Sequence, residues 1–165
     1  MEKEPREKQG GIIDAETPIR HTEDSVIIVT RKVMKTAPPI VITAATRSPH
    51  GAFNGQFSAL PAPLIGGQTL HACYANLTNA DTLIDAVIMG NVLSAGLGQA
   101  PARQAALHAG LNEAVPSLTL NKMCGSGMQS IMSAHDSILA GSHRVVIAGG
   151  MENMTRAPYL LPQAR

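Results

Sequence analysis

A chain of 165 residues with a formal net charge of +1 can bury one real core, and it offers no electrostatic pull toward nucleic acid or an anionic membrane. Two Phe, two Tyr and no Trp exclude a base-stacking platform, and two cysteines 51 residues apart, outside any C-x-x-C, argue for neither a disulfide framework nor a zinc site. No apolar run reaches the roughly 20 residues that span a bilayer, and the N-terminus has no apolar signal core, so no membrane segment is expected and the cytoplasm is the expected location.

Charge is unevenly distributed. Residues 1–35 carry 14 of the 25 charged side chains, seven acids and seven bases, and the remaining 130 residues carry 11. That is fewer than one in ten, against about a quarter in ordinary domains. Residues 1–35 therefore read as a charged, flexible extension, within which Val26–Val29 could form a strand. The charge-poor remainder must have much of its surface covered by other protein.

From residue 36 the chain alternates strand and helix. Ile40–Ala45, after Pro38-Pro39, has the apolar run of a buried first strand, and Thr46–Gly55 is a Ser-, Pro- and Gly-rich loop in which His50 could contact a ligand, although a solvated loop histidine is the simpler reading. Pro61 and Pro63 stand where a helix can start. Leu70, Cys73, Tyr74 and Leu77 then fall on one helical face, which makes Cys73 a core residue. His71-x-Cys73 has no second ligand pair and carries no metal reading. Asp81–Asp85 leads into a strand at Ala86–Met89, and Pro101 opens a small-residue helix through Ala109. Gly96-Leu-Gly-Gln-Ala-Pro lacks the third glycine of a dinucleotide fingerprint, and position 116, where an acid would hold a ribose, is Pro. Arg103 could reach a ligand phosphate, although a structural or inter-subunit ion pair is the simpler role.

Ser117–Gly150 organises the rest. Ser117–Leu120 is a short strand. Met128, Ile131, Met132, His135, Ile138 and Leu139 form the apolar stripe of a helix closed by Gly141, and Arg144–Ala148 is another strand before Gly149-Gly150. On this pattern His135 belongs to a core or an interface. Cys124 sits where strand gives way to helix, within Cys124-Gly-Ser-Gly127. A free Cys is most often a small buried hydrophobe. Here the flanking glycines allow another molecule to approach, and a helix N-terminus favours a thiolate over a thiol. No base is in reach. His135 lies 11 residues along the same helix, about 16 Å away at the rise of an α-helix, and His143 lies beyond its end.

N-K-M-C-G-S-G-M at Asn121–Met128 and V-V-I-A-G-G-M-E-N-M-T at Val145–Thr155 resemble the thiolases, the group of acetyl-CoA acetyltransferases and 3-ketoacyl-CoA thiolases. V-I-T-A-A-T-R-S-P-H-G-A-F-N-G at Val41–Gly55 and V-I-M-G-N-V-L-S-A-G-L-G-Q-A-P-A-R-Q-A at Val87–Ala105 resemble them too, and the four blocks keep the family's order over about 115 residues.

The resemblance implies an α/β layered fold, here the N-terminal half alone and incomplete, with a mostly parallel mixed sheet and helices on both faces. It divides the chain into the 1–35 extension, an α/β domain at 36–155, and the start of a truncated CoA-binding loop domain at 156–165. Met34 stands where thiolases commonly begin, so residues 1–33 are either an added extension or upstream sequence read through.

By the same resemblance Cys124 is the catalytic nucleophile that carries the acyl-thioester intermediate, in Claisen condensation or in thiolysis of 3-ketoacyl-CoA, which implies a place in fatty acid metabolism. Acetyl-CoA or acyl-CoA is the substrate and no cofactor is needed. The family's G-H-P, C-x-G and N-E-A-F motifs do not occur in the 165 residues, since N-E-A-V at Asn112 precedes the nucleophile strand. The chain is therefore expected to be inactive alone. The expected partners are further copies, as a dimer or tetramer, or a separate C-terminal half. Two other readings stay open: a non-catalytic partner of thiolase subunits, and an independent thiol enzyme or redox sensor built on Cys124.

Overall fold

The computed structural model describes residues 39–77 and 80–163. The 1–35 extension and the strand expected at Val26–Val29 lie outside the described residues. Helix α1 is Ala62–Tyr74, α2 Ala80–Leu83, strand β1 Ala86–Gly90, α3 Pro101–His108, β2 Ser117–Leu120, α4 Ser126–Leu139 and β3 Val146–Gly150, followed by a 3-10 turn at Met154–Arg156. The expected α/β class holds: the three strands form a parallel sheet in the order β2-β1-β3.

β1 is the central strand, and all five of its residues are buried. Its alternate residues face opposite layers. Val87 and Met89 enter a cluster with Ala102, Ala105 and Ala106 of α3, Leu70 and Tyr74 of α1, and Leu111, Val115 and Met151. Val87 is completely buried, a contribution of about 1.5–3 kcal/mol relative to leaving it exposed. α1 lies close on α3 because Gly66 and Gly67 have no side chains; a Cβ at Gly67 would sit 2.5 Å from His108 Cβ. α4 covers the other face of the sheet, so helices occupy both faces.

Proline and glycine punctuation falls where it was expected. Pro61 is the N-cap of α1, Pro101 opens α3, and Gly141, at φ 77, follows the C-cap of α4. The first turn of α3 has no side-chain cap of its own, but Thr119 Oγ1 of β2 accepts the Ala102 N–H at 2.9 Å. Among the described residues Arg103 makes no carboxylate pair: its guanidinium donates to the carbonyls of Val115 (2.8 Å) and Glu113 (2.6 Å), tying α3 to the loop before β2.

Four sequence expectations need correction. Ile40–Ala45 is not a strand, and Val41 and Ile42 are 67% and 81% exposed. An apolar run becomes a buried strand only if a sheet edge pairs with it, and no described strand does. Cys73 is half-buried rather than core, because α1 ends at Tyr74 and Leu77, expected on the same face, is exposed. β3 begins two residues later than read, since Asp85 Oδ2 accepts the N–H groups of Arg144 (2.6 Å) and Val145 (3.0 Å).

The largest correction concerns α4. The stripe expected to be buried faces outward: Met128 is 66%, Ile131 42%, Met132 50% and Leu139 39% exposed. The His135 side chain is 54% exposed, so His135 is not a core residue. The face against the sheet carries Ser126, Ser130 and Ala134 instead. Small residues win that face because the sheet beneath is glycine-lined. A Cβ at Gly90 would lie 2.7 Å from Gly127 N, and one at Gly150 3.1 Å from Gly127 Cα. Backbones this close leave no room for Met or Ile.

The Asp85 clasp gives the fold a pH dependence. The Val145 hydrogen bond and then the Arg144 hydrogen bond hold the Asp85 carboxyl below its usual range, and the Arg144 guanidinium acts the same way. A carboxyl depressed by folding stabilises the fold above its unfolded pKa, and that contribution disappears as pH falls through the folded pKa. The urea midpoint should therefore drop as pH falls from about 5 toward 3. Asp85→Asn should lower the midpoint at neutral pH and flatten this part of the profile. An unchanged acid limb in that variant would assign the dependence to another carboxyl.

Candidate active site

All three strands release polar residues at their carboxyl ends, where parallel α/β sheets place their ligand sites. β1 leads into Asn91, β2 into Asn121, and β3 into Met151 and Glu152. Cys124 lies at the same end of the sheet, on the turn between β2 and α4, and its thiol is exposed.

The turn is tightly specified. Met123 has φ 47, a left-handed conformation uncommon for a side chain of this size, and one that needs support. Its N–H donates to Asn121 Oδ1 at 2.9 Å. Its carbonyl accepts from Ser126 N–H at 3.0 Å and Ser126 Oγ at 2.6 Å. The same Ser126 Oγ, on a residue only 5% exposed, accepts the Lys122 N–H at 2.8 Å. Gly125 is the N-cap and contributes no side-chain cap, so Cys124 stands directly before an uncapped first turn of a 14-residue helix. One turn further, Ser130 Oγ is shared between Gly127 O and Gly149 O, each at 2.6 Å, fastening α4 to β3.

Ser126→Ala removes both the acceptor for Lys122 and the donor to Met123. With the backbone groups left partly buried, it should cost about 1–3 kcal/mol in a denaturant titration. A neutral result would mean the turn holds its shape without that hydroxyl. Exposure also ranks the cysteines. Cys124 should react with a small alkylating agent about tenfold or more faster than half-buried Cys73, as peptide mass mapping would show.

Among the described residues no histidine is brought to Cys124. His135 points away from the sheet and meets Asp136 Oδ1 at 3.2 Å, His71 Nδ1 meets Ala109 O at 3.0 Å, and His50 lies on an exposed loop. Two shallow clefts, one lined by Arg47, Phe57 and Thr69 and one by Leu118 and His143, do not include Cys124. Among the described residues no three His, Cys, Asp or Glu side chains group as a metal site, and no helix is long and apolar enough to cross a membrane.

Residues 40–165 match the family described as "Thiolase, N-terminal domain". The chain belongs to the thiolase family. Among its relatives are an acetyl-CoA acetyltransferase of Cupriavidus necator, 45% identical over 126 residues, and a probable acetyl-CoA acyltransferase of Staphylococcus epidermidis, 48% identical over the same length. An acetyl-CoA acetyltransferase of Pseudomonas aeruginosa is likewise 45% identical. Each match covers 76% of this chain and 32% of the relative, so the chain spans about a third of the length of these relatives.

Asn91, Asn121, Ser126 and Glu152 went unnoticed in the sequence reading. Their signal was position: each lies within a few residues of a strand's carboxyl end, and Glu152 is one of few acids in a charge-poor stretch.

Proposed function

We propose that Cys124 is the acyl-carrying nucleophile of an acyl-CoA C-acyltransferase, with acetyl-CoA or a longer acyl-CoA as donor. The observation that carries this reading is an exposed thiol on a braced strand-to-helix turn at the carboxyl edge of the sheet, in a thiolase N-terminal domain. The Cys124 sulfur attacks the thioester carbonyl, the carbon–sulfur bond to CoA breaks, and CoA leaves with the proton the cysteine gave up. One thioester replaces another, so the intermediate is nearly isoenergetic with the substrate and does not trap the acyl group. A carbanion from a second acyl-CoA then takes the acyl group in condensation. In thiolysis, the cysteine attacks the keto carbon of a 3-ketoacyl-CoA and the bond between the α- and β-carbons breaks. Acetyl-CoA leaves with a proton gained at its α-carbon, and the thiol of a free CoA then takes the acyl group and returns the cysteine.

The proton-transferring groups come from outside these 165 residues. The exposed face of α4, with Met128, Ile131, Met132 and Leu139, supports a reading in which other thiolase protein covers this chain. That protein is either a further copy or the remaining two-thirds of the length seen in the relatives. The cytoplasm remains the proposed location.

Mixing the chain with a thiolase whose own nucleophile has been replaced, then adding acetyl-CoA, should leave an acetyl group on the Cys124 peptide. The isolated chain should show no synthesis or thiolysis above background. Acetylation at Cys73, or turnover by the chain alone, would overturn the proposal.

A further inference from the structure

Glu152 is bonded in a way its own segment does not require. Its Oε1 accepts from Asn91 Nδ2 (3.0 Å) and from the Leu93 N–H (3.1 Å), and its Oε2 from the Val92 N–H (2.8 Å). One carboxylate after β3 therefore gathers three donors from the segment that leaves β1, about 60 residues earlier. Asn91, only 2% exposed, is held in addition by its Nδ2 donating to Met151 O at 3.1 Å. A carboxylate suits this place because it only accepts. A glutamine would turn an N–H₂ group toward at least one of those donors.

The fixed segment is in turn bonded to the end of β2. The Asn91 N–H donates to Leu120 O at 3.0 Å, and Val92 O accepts from Asn121 Nδ2 at 3.4 Å. With Nδ2 turned toward Val92, the Asn121 side chain presents Oδ1 to the N–H of Met123 at 2.9 Å. Met123 is the left-handed residue directly before Cys124. A continuous series of hydrogen bonds thus runs from Glu152 through Val92 and Asn121 to the residue that sets the direction of the cysteine. From the α4 side the turn is braced separately, through Ser126.

We infer that Glu152 is a positioning residue for Cys124. It touches no reacting atom in this role. It fixes Val92, which orients Asn121, which holds Met123 in its left-handed conformation and so aims the thiol. The inference rests on the reading of Cys124 as nucleophile, but the linkage itself can be tested separately.

The test uses the full 165-residue chain with Glu152→Gln, Glu152→Asp and Asn121→Ala, and reads amide hydrogen exchange residue by residue. In Glu152→Gln the N–H groups of Val92, Leu93 and Met123 should all exchange about tenfold faster, and Lys122, held by Ser126, should not change. Glu152→Asp should restore part of the protection. Asn121→Ala should release Met123 and leave Val92 and Leu93 protected. With a nucleophile-deficient thiolase supplied, Glu152→Gln should slow acylation of Cys124 about tenfold at saturating thioester, without moving the concentration that gives half the maximal rate. Faster exchange at Val92 and Leu93 with Met123 unchanged would show a local clamp and overturn the inference, as would an unchanged acylation rate in Glu152→Gln. If Glu152→Gln loses protection throughout, Asn121→Ala decides: unchanged exchange at Met123 or unchanged acylation there overturns it. Failure of the parent chain to acylate would defeat the nucleophile reading, and Met123 exchange would still decide the linkage.

Discussion

With Cys124 replaced by Ser, acyl transfer onto this chain in the complemented thiolase should fall by about four orders of magnitude or more, the scale of losing a covalent nucleophile. Serine is close in size and is accepted at helix starts, so the β2–α4 turn should keep its form. The loss is chemical. A serine hydroxyl is far less acidic than a thiol, so even with proton-transferring groups supplied by the complementing protein it is the poorer nucleophile near neutral pH. An oxygen ester, if it formed, would also lie below the thioester in energy and release its acyl group slowly. Two measurements are needed together. Thioester-dependent mass gain on the Cys124 peptide reports the chemistry, and a denaturant titration of the variant reports the fold. Acylation that survives the substitution would mean that another group carries the acyl chain.

Much of the fold was legible because its signals are local. Pro61 and Pro101 mark helix starts and Gly141 marks a helix end, through fixed or left-handed backbone angles that need no knowledge of neighbours. The placement of Cys124 between strand and helix was legible for the same reason: a strand, a glycine-flanked turn and a helix follow one another within a few residues. What failed depended on partners distant in sequence. Periodicity identified α4 correctly but chose the wrong face, because apolar side chains usually face the core. Here Gly90 and Gly150 bring the sheet so near that only Ser126, Gly127, Ser130 and Ala134 fit beneath the helix. Ile40–Ala45 has the composition of a strand, but composition does not provide an edge to pair with. The Glu152 contacts span about 60 residues, and no local pattern could announce them.

The glycine lining leads to the largest expected effect on stability. Gly90→Ala places a methyl group 2.7 Å from Gly127 N and closer still to the carbonyl carbon of Ser126. Two of the three obstructing atoms are helix backbone and the third, Ser126 Cβ, is fixed to it, so no flexible side chain can swing aside, and α4 must lift from β1. That movement would weaken the bond from Ser130 Oγ to Gly149 O and separate Gly127 from Gly150. The cost should reach the upper end of the roughly 1–3 kcal/mol typical of overpacking, or exceed it. Against a total stability of about 5–15 kcal/mol that is a large fraction. The same shift moves Ser126, which braces Met123, so the alkylation rate of Cys124 should change with it. Gly141→Ala is the control at the far end of α4. Its φ of +77 disfavours a side chain, but nothing lies within 4 Å of the new methyl group, so the expected cost is about 1–2 kcal/mol with Cys124 reactivity unchanged. Urea midpoints and alkylation rates for the two variants separate crowding from backbone strain. If Gly90→Ala proves as stable as the parent with Cys124 equally reactive, then α4 does not depend on this close approach to hold the cysteine turn.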